Sequence, residues 1–186
     1  MRIIAGEYRG RILKMPKGAK VRPTQDRVRE AIFNIIRERV PGSSVLDLYA
    51  GSGAFGIEAL SRGALLSVFV DDNINCVKII KSNLSALVKM AQSSEVLKID
   101  AVRSISGFGK ESRKFDIIFL DPPYYKELAR NSLLKIDACD ILSPQSLVIA
   151  EHFKKDAMPE KTDNLFLFRE KKYGDTVISF YRKHEG

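Results

Sequence analysis

A chain of 186 residues with 45% hydrophobic content is long enough to bury a core without disulfides, and it reads as one globular domain over residues 1–186. Its two cysteines, Cys76 and Cys139, lack the paired spacing of a zinc site or a secreted disulfide framework, so they read as reduced core thiols and no metal is required. No apolar run reaches signal-peptide or membrane-spanning length, which points to a cytoplasmic protein, and the net charge of +8 is concentrated: eleven Lys/Arg against four Asp/Glu fall within residues 1–40. A basic segment on a nearly neutral body fits a polyanion-binding appendage, because Lys and Arg release counterions from phosphates; a solvated, solubilising surface is the alternative.

Residues 2–14 are two short apolar runs around a Gly-containing turn and predict a small hairpin. It lies in a basic extension over residues 1–22, ahead of a catalytic core over 23–186. A helix is expected from Thr24, a good cap, with Asp26 near its positive end and an apolar stripe of Val28, Ala31, Ile32, Ile35 and Ile36; Pro41-Gly42 ends it. Strands are then expected at 45–49, 67–71, 95–99, 115–120 and 147–151, with helices between them. The clearest helix runs over 74–90, with Val77, Ile80, Leu84 and Leu87 on one face. Two last strands, 165–170 and 176–181, join around Tyr173-Gly174-Asp175, a favourable hairpin turn. The pattern predicts an α/β fold: a mainly parallel sheet covered by helices and finished by an antiparallel pair.

The cofactor signal is the run from Val45 to Gly56, a buried strand entering a glycine-rich turn and then a helix. Gly51, Gly53 and Gly56 form a GxGxxG, where a ligand approaches backbone free of Cβ atoms. Asp71 follows at the end of the next strand, placed to accept from ribose hydroxyls. Asp47 argues against a dinucleotide, because a carboxylate before the glycine turn suits a cofactor that carries an ammonium group and no phosphate, such as S-adenosylmethionine. Asp100-Ala101 follows the third strand, where a carboxylate either accepts from an adenine amino group or caps a helix.

The fourth strand delivers Asp121-Pro122-Pro123-Tyr124 at its carboxyl end. An exocyclic amine on a base is a poor nucleophile, because its lone pair is delocalised into the ring. Asp121 supplies an acceptor for its N–H, the two prolines stiffen the turn and leave carbonyls free to accept, and Tyr124 can stack on an extruded base. A rigid turn with a packed tyrosine is the bland alternative. His152 and His184 are too isolated for a triad or metal site.

On Arg2–Gly10, Arg22–Glu30, Asp47–Gly63, Asp121–Tyr124 and Tyr173–Thr176, the chain resembles the RsmD family of bacterial small-subunit ribosomal RNA guanine-N2 methyltransferases over nearly its whole length. The resemblance implies a class I S-adenosylmethionine-dependent methyltransferase fold with a Rossmann-like seven-stranded sheet and an N-terminal hairpin that helps engage RNA. It implies a cofactor site drawing on Asp47, Tyr49, Gly51, Ser52, Gly53, Asp71, Asp100, Ala101 and Thr24. It further implies catalysis by Asp121, Pro122, Pro123 and Tyr124, and RNA contacts from Arg9, Arg11, Arg22 and Arg27. The implied substrate is the N2 of guanine 966 of 16S ribosomal RNA, within an assembling small subunit, and the implied enzyme a monomer. The family usually has glutamate where Asp71 stands, with Asp72 beside it; strand alternation favours Asp71. Asp-Pro-Pro-Tyr also occurs in adenine-N6 methyltransferases acting on DNA or RNA, which are the rival enzyme, and a catalytically silent RNA-binding module is the rival of another class.

Overall fold

The alternation of apolar runs and helical stripes resolves, in a computed structural model describing residues 1–16, 23–123 and 127–184, into seven strands and six helices among the described residues. Only the backbone is described at 23–25 and 88–89, so the side chain of Thr24, together with Arg22 and Tyr124, lies outside the described residues. The elements fall into two compact units, Met1–Lys98 and Ile99–Gly186. No described helix is long and apolar enough to cross a membrane.

The first unit runs α1 (Pro23–Ile35), a 3-10 turn (Arg37–Arg39), β1 (Ser44–Leu48), α2 (Ala54–Ser61), β2 (Leu66–Asp71), α3 (Ile74–Ser85), α4 (Val88–Gln92) and β3 (Ser94–Lys98). Its strands are parallel, in the order β3-β2-β1. β1 and β2 are buried along nearly their whole length, as continuous apolar runs in a parallel sheet should be. Val28, Ile32 and Ile36 of the predicted α1 stripe are buried, and so is Phe33, outside that stripe, with the Arg62 guanidinium 4.8 Å from its ring centroid.

One expected helix over 74–90 is two. Leu87 leaves helical geometry at φ −131°, ψ 70°, and bonds of the tighter kind run from Leu87 N–H to the Leu84 carbonyl and from Met90 N–H to the Leu87 carbonyl. A run spaced by three drifts around a straight helix of 3.6 residues per turn, and the break keeps Leu84, Leu87 and Met90 all buried. The cysteines also correct the sequence reading. Both are free, but Cys76, in the first turn of α3, and Cys139, at the end of helix α6 (Leu128–Ala138), are half-buried and not core.

The N-terminal hairpin is an antiparallel pairing around a single bridge, Arg2 to Ile12, which buries Ile3 and Leu13. It is docked on α2 through its backbone. Glu58 accepts from the Ile4 N–H at 2.7 Å and the Ala5 N–H at 3.0 Å, and the Ser61 carbonyl accepts from the Glu7 N–H at 2.8 Å. Glu58, 1% exposed, also accepts from Arg62 Nε at 2.7 Å and faces Arg29 Nε at 4.0 Å. Gly6 is fixed by this docking: at φ +85° its missing Cβ would lie 1.7 Å from the Ser61 carbonyl oxygen.

The second unit holds α5 (Ala101–Lys110), β4 (Phe115–Leu120), α6, β5 (Leu142–Phe153), β6 (Leu165–Tyr173) and β7 (Thr176–Lys183). β4 and β5 are parallel, β7 and then β6 are antiparallel, and the order is β4-β5-β7-β6. β5 starts earlier than expected because Leu142 pairs with Phe115 and Leu147 with Ile117; the intervening residues, including Pro144 with no N–H to give, bulge out of the ladder. β6 continues through Lys171 and Lys172, where hydrophobic alternation is lost but pairing with β7 persists. Charged residues on an edge strand discourage pairing with another chain. His152 is a structural side chain, with Nε2 2.9 Å from the Ser179 hydroxyl, and His184 stacks on Phe166.

Candidate active site

At the carboxyl end of β1 the chain turns sharply. Tyr49, expected in the strand, lies at φ +59°, a conformation that costs an L-residue on the order of 1–2 kcal/mol. The three glycines serve different ends. A Cβ on Gly51 would meet nothing closer than the Tyr49 carbonyl oxygen at 3.9 Å, so this glycine borders open space. Gly53, at φ +78°, starts α2, whereas a Cβ on Gly56 would sit 2.3 Å from the Phe69 ring, so Gly56 secures helix-to-strand packing. Ser52 between them is buried, and its carbonyl accepts from Asn83 Nδ2 at 3.0 Å.

Two aspartates accept from backbone N–H groups of the turn and the helix it enters. Asp71, at the end of β2, accepts from the Gly51 N–H at 2.8 Å and from the Asn73 N–H at 2.9 Å; Asp72 is exposed, so the choice of Asp71 by alternation places the acid at the glycine turn. Asp47 lies beneath the turn, 1% exposed, accepting from the Gly56 N–H at 2.9 Å. Burial above all, with the neighbouring Asp71 charge adding to it and the Gly56 bond opposing, pushes its carboxyl up to about 8. An unfolded aspartate releases its proton near its ordinary value of 3.8, so the folded state holds a proton that the unfolded state has lost, and stability falls as pH rises from about 4 to about 8. Asp47→Asn keeps an acceptor for Gly56 and removes the titration. We expect it to raise Tm at pH 8 and above by several degrees, with the gain fading towards pH 4; thermal melts giving parallel pH profiles for both proteins would exclude a buried proton on Asp47.

In the second unit, Asp100 caps α5, its Oδ1 accepting from the Arg103 N–H at 2.9 Å, and Ala101 is the buried first residue of that helix. The capping alternative raised by the sequence is therefore met for one carboxylate oxygen. β4 is buried from Ile117 to Leu120 and passes straight into Asp121, half-buried, then Pro122, buried, and Pro123, exposed.

Arg9 and Arg27 line one groove of about 460 Å³ with Arg2, Asp26 and Glu30, on the first unit. Arg11 is exposed and does not line it. Sequence reasoning missed Glu58 and Asn83. Each left a signal: Glu58 is an acid in the otherwise apolar run Ala54–Leu60 with Arg62 four residues on, and Asn83 is an amide on the buried side of α3.

Comparison with known proteins extends these observations along the whole chain. A family model described as Conserved hypothetical protein 95 matches residues 1–182. The Bacillus subtilis protein YlbH is 39% identical over 183 residues, covering 98% of this chain and 99% of that one. Ribosomal RNA small subunit methyltransferase D of Escherichia coli is 33% identical over 184 residues, covering 98% of this chain and 90% of the relative. The solved structure of the Escherichia coli protein yhhF superposes with a TM-score of 0.89 at 31% identity, covering 100% of this chain and 99% of that one. With a family match and relatives above 30% identity running nearly end to end, this chain belongs to the family described as Conserved hypothetical protein 95, the RsmD family.

Proposed function

We propose that this protein transfers a methyl group from S-adenosylmethionine to the exocyclic N2 of a guanine in 16S ribosomal RNA, guanine 966 by family resemblance, within an assembling small subunit. The observation that carries the reading is the passage of buried β4 directly into Asp121-Pro122-Pro123, in a chain whose whole-length relatives include small-subunit ribosomal RNA methyltransferases. The glycine turn fits the cofactor. Gly51 leaves space a side chain would fill, Asp71 stands at the turn to accept ribose hydroxyls with a charge that disfavours a pyrophosphate, and Asp47, which holds a proton in the ligand-free protein, gives it up more readily beside a cationic ligand. Ser52, Gly53 and the half-buried Tyr49 complete the turn, Asp100 with Ala101 receives the adenine amino group, and Thr24 joins the set by family resemblance alone.

When bound, the cofactor supplies a methyl group on a sulfonium sulfur. The chain's part is to present the nitrogen. The Asp121 carboxylate accepts from the amine N–H and fixes the direction of its lone pair, Pro122 and Pro123 hold the turn rigid, and Tyr124 stacks on the base. Arg9 and Arg27 in the groove, with Arg11 and Arg22, hold phosphates.

Two measurements test this. Undermethylated ribosomal RNA or small-subunit particles, incubated with labelled methyl donor and digested to nucleosides, should yield N2-methylguanosine; N6-methyladenosine would move the enzyme to the adenine class, and cofactor binding without any labelled nucleoside would leave an RNA-binding module. Asp71→Ala should weaken S-adenosylhomocysteine binding by about 1.5–3 kcal/mol, the scale of a charged hydrogen bond, with Asp72→Ala near wild type. Unchanged calorimetric affinity in a folded Asp71→Ala protein would remove the ribose role.

A further inference from the structure

Asn83 is 4% exposed on the inward side of α3, among Val77, Ile80 and Leu84, which are apolar. Its amide is used at both ends. Oδ1 accepts from the Lys14 N–H at 2.8 Å, while Nδ2 donates to the Lys14 carbonyl at 3.1 Å and to the Ser52 carbonyl at 3.0 Å. One side chain thus clasps the trailing end of the N-terminal hairpin by two bonds and holds the glycine turn between Gly51 and Gly53 by a third. Two contacts run alongside: the Ser52 hydroxyl donates to Met1 Sδ at 3.8 Å, and Lys14 Nζ donates to the Ser82 hydroxyl at 2.9 Å. Leaving a buried amide unpaired is costly, so the hairpin and the turn cannot shift independently without breaking a bond at Asn83.

We propose that Asn83 is a positioning residue that couples RNA held by the hairpin to cofactor held by the glycine turn. This rests on the methyltransferase reading. RNA that restrains the hairpin restrains Asn83, and through it the Ser52 carbonyl, so the turn is already ordered when the cofactor arrives. The coupling is reciprocal: bound cofactor tightens the hold on RNA by the same factor.

Calorimetric titration of S-adenosylhomocysteine into the full chain, with and without saturating undermethylated small-subunit ribosomal RNA, measures the coupling. Wild type is expected to bind about 5–20-fold more tightly with RNA present. Asn83→Asp keeps the acceptor for the Lys14 N–H but sets a carboxylate against two carbonyl oxygens; it should weaken RNA-free binding about 10-fold and reduce the RNA enhancement below about 2-fold. Lys14→Pro removes the N–H held by Asn83 Oδ1 and leaves the Nδ2 bonds to the carbonyls of residue 14 and Ser52, so it should keep the RNA-free affinity and reduce the enhancement. A merely structural role for Asn83 would not separate these two quantities. If Asn83→Asp does not fold, Lys14→Pro decides alone. Wild-type binding that RNA leaves unaltered, or an enhancement undiminished in a folded variant, overturns the coupling while sparing the methyltransferase reading; a wild type that binds no S-adenosylhomocysteine removes both.

Discussion

Asp121→Ala should cut single-turnover methyl transfer about 10²–10³-fold at saturating cofactor and RNA, the usual cost of removing one aligned polar group from a reacting centre. The loss should fall on the chemical step, because extrusion of the base depends on stacking and not on this carboxylate. Asp121→Asn separates two roles. An amide oxygen still accepts from the target N–H, so a positioning acceptor leaves Asn clearly more active than Ala, whereas an obligatory proton acceptor leaves both equally inactive. Chemistry favours positioning: the nitrogen proton becomes strongly acidic only after the nitrogen carries the methyl group, and water then suffices to take it. The expected order of rates is wild type, Asn, Ala. Equal rates for wild type and Ala would detach Asp121 from the chemistry.

Glu58→Ala should destabilise the folded protein by about 3–5 kcal/mol, or a fall in Tm on the order of 10 °C, because it breaks a buried ionic cluster from one side. The substitution strands two hairpin N–H groups and leaves Arg29, 2% exposed, with Asp26 at 3.2 Å as its closest acid. Glu58→Gln should recover little, because both carboxylate oxygens accept in the folded protein and a glutamine must turn its NH₂ towards a donor. Urea unfolding of the three proteins checks the ranking. A Gln variant as stable as wild type would show that the charge on Glu58 contributes nothing to holding Arg29 and Arg62.

Much of this was legible in the sequence because it rests on local chemistry. Strand ends at Asp71 and Leu120 follow from where apolar runs stop, and the bond of Asp71 to the Gly51 N–H agrees with the side that two-residue alternation gives it. The glycine turn was visible as a motif, although Tyr49 turned out to be part of the bend, because a strained φ leaves no mark on composition. What escaped is non-local. The break at Leu87 depends on where three apolar residues must all point, and the bulge before Leu147 depends on the partner strand's register. The docking of the N-terminal hairpin was least visible, since its donors are peptide N–H groups that every residue but proline carries.

That docking has a consequence for how the segment tolerates change. Because Ile4, Ala5, Glu7 and Tyr8 are gripped by their main chain, a saturation scan there should accept most side chains at each position and reject one, proline, which has no hydrogen to offer. Gly6 should show the inverse profile, intolerant of every replacement, since even a methyl group collides with the Ser61 carbonyl. Drift in the lettering of this strip therefore says little about whether it still docks, and the spacing of a lone glycine opposite a serine and a glutamate one helical turn apart is the durable trace of the arrangement.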